Sequence, residues 1–229
     1  MRRMLLSVGV VALLATGSVA SARQSDTLIG DSRRQQGLES EMGRLRMGQT
    51  GGARAGVCPL VRGASAEINT YVTARLRQVA DQVGAEYAHH DCEPNVVVLF
   101  SPNPDELVAE ATRAKRFNYR GVAAQDVERF KTSSQPVRWI HGSATPGFKT
   151  HDARPYNALV IVDSNKAADI KVSTLADYVS LIALADVRVR PAPAEGSIMN
   201  LFDSAADGTP QAMTEADRAY LRAVHSRRY

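Results

Sequence analysis

The chain has 229 residues and a formal net charge of +4, with two cysteines among them. The positive charge is concentrated at one end: Arg2 and Arg3 stand near the start, and residues 23–56 carry six basic against four acidic side chains, which leaves residues 57–229 neutral. A neutral core removes the electrostatic case for a nucleic-acid partner, which needs a clustered basic surface.

The first element is a leader. Residues 1–22, "MRRMLLSVGVVALLATGSVASA", join a cationic start to an uncharged apolar run and then to Ala20-Ser21-Ala22. That layout is a secretory signal peptide cut after Ala22; the rival reading is a retained anchor, for which the run is short and the cleavage pattern superfluous. No later stretch is apolar and long enough to span a bilayer, so the mature chain is expected to have no transmembrane segment. Residues 23–56 are rich in Gly, Arg, Gln and Ser and read as a disordered linker. Within them "GLESEMGRLRM" is a helix too short to persist alone. The functional alternative is a basic arm that touches an anionic envelope surface.

Residues 57–229 form one folded domain of ordinary size. Cys58 and Cys92 are an even pair, expected as a disulfide in an oxidising compartment; the alternative is two free thiols, and two cysteines alone are too few for a structural zinc site. Residues 65–83 read as an amphipathic helix. Ile68, Val72, Leu76, Val79 and Val83 make one apolar stripe, Ser65 caps it, Gly84 ends it, and Arg75 and Arg77 fall on the solvated side. "NVVVLFS", residues 95–101, is a buried strand between prolines. Asn103, Pro104 and Glu106 then open a helix in the capping-box manner, ending before Gly121, with a short helix to follow at 124–131. His89, His90 and Asp91 read as a polar loop, since adjacent side chains do not share a ligand face. In "RAKRFNYRG", cations suit a helix C-terminus while Phe117 and Tyr119 pack inward.

Residues 136–143 and 157–163 read as strands of a hairpin whose long intervening loop is a functional place. "STLADYVSLIALADV", residues 173–187, is an apolar helix capped by Thr174 with Asp177 in the box position. "SIMNLF" is a short helical turn. The closing helix is capped by Thr214 and Asp217, with Tyr220, Leu221 and Val224 facing inward. The expected fold is α+β, a small sheet with about five helices.

Three segments together carry a resemblance: "VCPLVRGASAEINTYVTARLR", "LVIVDSNKA…LADYVSLIALADV" and "SIMNLF…MTEADRAYLRAVH". The region from Val57 onward resembles a family of exported alphaproteobacterial proteins with no assigned activity. The last two segments also look like secreted zincin-like domains of unknown function, in which a Glu-rich helix precedes a "SIFN"-like segment and an "LT..D" helix start. Ser197, Ile198, Met199 and Asn200 match the second of these, and Met213, Thr214 and Asp217 the third. The resemblance implies a degenerate zincin-like fold. A zinc peptidase needs two histidines four apart on one helix face and a glutamate after the first. Here those positions hold Ala176, Ser180 and Asp177, so no metal, cofactor or catalytic set is expected. The functional expectation is an exported, non-catalytic binding or structural component of the periplasm or cell envelope, its partner an envelope protein or polymer. The alternative is a peptidase-like hydrolase using the loop between residues 141 and 151, with His141, His151 and Asp177; Ser143 lies beside His141 without the elbow a nucleophilic serine needs.

Overall fold

The computed structural model describes residues 37–44, 56–85, 87–88, 92–117, 119, 122–142, 157–185, 195–203 and 210–226. In chain order they form α1 (Leu38–Met42), β1 (Pro59–Arg62), α2 (Ala66–Gln82), β2 (Val96–Ser101), α3 (Pro104–Arg113), α4 (Ala124–Thr132), β3 (Val137–His141), β4 (Ala158–Asp163), α5 (Val172–Leu184), a 3-10 helix (Ile198–Phe202) and α6 (Glu215–Ser226). The fold is α+β, as the segment pattern predicts. The expected signal peptide with its expected cleavage after Ala22, and His89, His90, Asp91, Ser143 and His151, lie outside the described residues.

The sheet order is β1-β2-β4-β3, with β1, β2 and β4 parallel and β3 antiparallel at the edge. β2 and β4 are buried at every position. The reason is period-two packing against two helical layers. Val96, Val98, Phe100, Val160 and Val162 face one core, shared with α2 and α5. Val97, Leu99, Leu159 and Ile161 face the other, shared with α1, α3 and Phe130 of α4. The β3–β4 pairing is the expected hairpin, and its excursion, residues 143–156, is outside the described residues.

Several local expectations are corrected. β1 was not foreseen; it is four residues long and exists by pairing with β2. Residues 37–44 are not linker: Gly37 leads into α1, which buries Leu38 and Met42. Asn103 makes no side-chain cap on α3; its own N–H donates to the Ser101 hydroxyl instead. Arg75 is not free on the solvated side but pairs with Asp177, whereas Arg77 is exposed as expected and lies over the Tyr87 ring. On α6 it is Asp217, Leu221 and His225 that point inward, while Tyr220 is 38% exposed.

The start of the domain is held by two devices. Cys58 and Cys92 form the expected disulfide, with S–S 2.01 Å and a sequence separation of 34. Asn95, just ahead of β2, accepts from the Cys58 N–H at 2.8 Å and donates to the Gly56 carbonyl at 2.9 Å. Gly63 then turns the chain out of β1 at φ 97°, where a Cβ would meet the Phe100 carbonyl at 2.0 Å, so only glycine fits. Among the described residues no helix is long and apolar enough to cross a membrane.

Candidate functional site

α5 is the natural place to begin, since residues 174–184 are buried on every side and the candidate ligand positions lie on it. Ala176 is fully buried and offers no lone pair. The Ser180 hydroxyl, also fully buried, donates to the Ala176 carbonyl at 2.7 Å, closing on its own helix. Asp177 is 3% exposed, and both of its oxygens are engaged. Oδ1 accepts from Arg75 Nε at 2.5 Å and Oδ2 from the Met213 N–H at 2.7 Å. Thr174 does not cap the helix with Asp177: α5 starts at Val172, and the Thr174 hydroxyl donates to the Gln211 carbonyl at 2.7 Å. An alanine, a neutral hydroxyl turned to a helix carbonyl and a carboxylate held by a guanidinium do not fit zinc, which takes imidazole, thiolate or free carboxylate ligands. Among the described residues no three His, Cys, Asp or Glu side chains converge as a metal-binding group.

The C-terminal end of the same helix receives two imidazoles. His141 Nε2 is 2.9 Å from the Ile182 carbonyl and His225 Nε2 is 3.1 Å from the Leu184 carbonyl. A carbonyl only accepts, so both Nε2 atoms carry protons. They satisfy acceptors that a helix end otherwise leaves open. Thus His141, at the near end of the 141–151 loop, uses Nε2 as a structural donor to α5, while Asp177 is committed to Arg75 and Met213. The structure gives these two members of the hydrolase hypothesis separate duties.

A second buried carboxylate gathers the segments that carry the resemblance. Asp217 accepts from the Ser197 hydroxyl at 2.6 Å, the Ile198 N–H at 3.0 Å and both the N–H and the hydroxyl of Thr214 at 2.9 Å. The Thr214 hydroxyl in turn accepts from the Asp217 N–H at 3.2 Å, completing the expected capping box. Ser197 caps the 3-10 helix through the Met199 N–H. With Asp177 holding Met213, the apolar helix, the Ser-Ile-Met-Asn turn and the start of α6 are fastened together by two aspartates.

A further polar set lies at the carboxyl ends of the parallel strands, where open sheets of this kind present ligand sites. Ser101 and Asp163 are register partners at the ends of β2 and β4, and both are buried. Asp163 Oδ1 accepts from the N–H groups of Asn165 and Lys166 at 3.0 and 3.1 Å, and Asn165 Nδ2 donates to the Pro102 carbonyl at 3.0 Å. Arg138 on β3 is 3% exposed; its NH2 donates to Asp105 at 2.7 Å, but no hydrogen-bond partner of its Nε, or of the fully buried Ser164 hydroxyl, lies among the described residues. Neither residue was singled out from the sequence, where "VRW" and "VDSNK" read as strand and strand end. The available signal was an arginine flanked by apolar residues on a strand. Comparison with known proteins finds no matching family, no matching curated protein and no matching solved structure.

Proposed function

We propose that the chain is an exported, non-catalytic domain of the periplasm or cell envelope, a zincin-like scaffold whose central helix serves as a structural anchor and not as a metal site. The observation that carries this reading is Asp177. Under the zincin-like resemblance it falls where a zinc peptidase has its water-activating glutamate, with Ala176 and Ser180 at the ligand positions, and its two oxygens are held by Arg75 and the Met213 backbone. A carboxylate so engaged cannot accept a proton from water without breaking an ion pair at the boundary of the core. The Cys58–Cys92 bond supports export, because disulfides persist in oxidising compartments. The leader-like residues 1–22 support the same route, and an envelope protein or polymer is the partner class that follows from it.

The test is elemental analysis and a peptide-library hydrolysis assay on the exported protein, with N-terminal sequencing of the same sample. The expected result is a start at Arg23, zinc well below one equivalent, and hydrolysis at background with or without added zinc. One equivalent of zinc, or metal-dependent cleavage that survives repurification, would overturn the non-catalytic reading. An intact leader on cell-associated protein would overturn export with cleavage.

A further inference from the structure

The molecule holds one contact whose parts fit better than its size requires. α1 is only five residues long, too short to be stable by itself, and it lies on α3 and β2. Leu38 and Met42, one helical turn apart, go into the core on that side of the sheet, while Glu39, Ser40 and Glu41 stay at the surface. Two glycines bound the element. Gly37 enters it at φ 83°, in the left-handed region, with no atom near the place of a Cβ. Gly43 has an ordinary helical φ of −69°, so its backbone does not call for glycine; a Cβ there would stand 2.7 Å from the Arg116 carbonyl. That carbonyl cannot easily give way. It belongs to the turn that ends α3, where Ala114 N–H bonds to Glu110 at 2.8 Å, Arg116 N–H to Ala111 at 2.8 Å, and Lys115 sits at φ 51°. The seat thus reads a short pattern, Gly-Leu-x-x-x-Met-Gly, by two apolar anchors and one close backbone approach.

We infer that the surface made by α3, its C-terminal turn and β2 is a binding surface for a short helix of this pattern, and that residues 37–43 occupy it as a releasable strap supplied by the same chain. Release follows from the balance of forces. Two buried side chains offset only part of the cost of ordering seven residues, so the short helix's own hydrogen bonds must supply the rest and the hold is weak. The tether allows it as well: eleven residues separate Arg44 from Gly56, a span that reaches roughly 40 Å when extended. A tethered strap of this kind competes with any untethered helix at an effective concentration of roughly millimolar. The inference stands apart from the reading of function above.

Gly43→Ala is the discriminating variant, because propensity and fit predict opposite signs. Alanine is the better helix former, so a strap held by local structure would tighten. A strap held by its seat would instead be pushed off Arg116. Hydrogen exchange on the full chain is expected to show the amides of Ser40, Gly43 and Arg44 exchanging about a hundredfold faster than those of β2 and β4 in the natural chain. In Gly43→Ala they should lose a further factor of about ten, with β2 and β4 unchanged. A synthetic peptide of residues 36–46, supplied at about a tenth of the tethered strap's effective concentration, should then take roughly half of the seats on the variant and only about a tenth on the natural chain. The inference is overturned if the strap amides exchange only as fast as β2 and β4, if Gly43→Ala protects them more, if β2 and β4 lose protection with them, or if the peptide binds neither protein. A concentration-dependent dimer of the natural chain that Gly43→Ala abolishes would overturn the same-chain assignment and give the seat to a second copy.

Discussion

Asp177 and Arg75 meet across the packed faces of α5 and α2, with side-chain exposures of 4% and 19%. The pair is therefore mostly but not wholly withdrawn from water, and its value lies in what breaking it leaves behind. Asp177→Asn keeps an acceptor for the Met213 N–H but strands the guanidinium, and a half-broken buried pair costs about 3 kcal/mol. The expected result is a urea midpoint shifted to match that loss, with part of it regained in the double variant Asp177→Asn, Arg75→Met, where no charge is left unpaired. A loss below about 0.5 kcal/mol would mean that the carboxylate is not an anchor. The sequence placed Asp177 on a buried helix correctly but gave it the wrong partner. A cap three residues away is a local pattern, whereas an arginine 102 positions earlier is brought close only by folding. Arg138 and the Ser164 hydroxyl escaped notice for the same reason: their burial is set by the sheet and its covering helices, not by their neighbours in sequence.

At the level of elements, α6 shows what hydrophobicity alone misjudges. Asp217, Leu221 and His225 share one face at intervals of four, and all three are buried, while Tyr220 is turned outward. The two polar members go inside because each has dedicated partners: four donors for Asp217, the Leu184 carbonyl for His225. β1 was missed on similar grounds. Four residues beginning with proline and ending with arginine carry too little alternation to register, and pairing with β2 supplies what the segment lacks. The longer elements α2, β2, β4 and α5 were legible because their apolar spacing is sustained. Asp217→Ala should remove the cap of α6 and the hold on the 3-10 helix together. The cap alone is worth about 1 kcal/mol and each orphaned buried donor about 1–3, so a loss near 3 kcal/mol is expected. Hydrogen exchange should show the loss of protection concentrated in residues 198–202 and the first turn of α6, with β2 and β4 little changed. A uniform loss across the sheet would mean that Asp217 supports the whole core and not a clasp.

The described residues form a sheet covered on both faces, and the disulfide lies apart from the two apolar clusters that cover it. Cys58 precedes β1 and Cys92 precedes β2, so the bond encloses the β1–α2 unit and the approach to β2. The same unit contributes Val61, Ile68, Val72, Leu76 and Val79 to the larger core, and Asn95 binds Gly56 and Cys58 independently of the sulfurs. Burial therefore holds the native arrangement without the bond, and the bond works chiefly by limiting the unfolded chain. A closed loop of 34 residues gives about 4 kcal/mol on the chain-entropy account. Replacing both cysteines by alanine should thus leave a folded protein whose thermal midpoint falls by about 8–15 °C, with near-unchanged circular dichroism below it. Single replacement should cost as much and add a thiol able to pair between molecules. If the double variant fails to fold at 25 °C, the two cores are too weak to stand on burial alone, and the bond must be counted as part of what specifies the fold. If its midpoint does not move, the β1–α2 unit is already constrained in the unfolded chain, because only a loop that is open without the bond can gain from being closed by it.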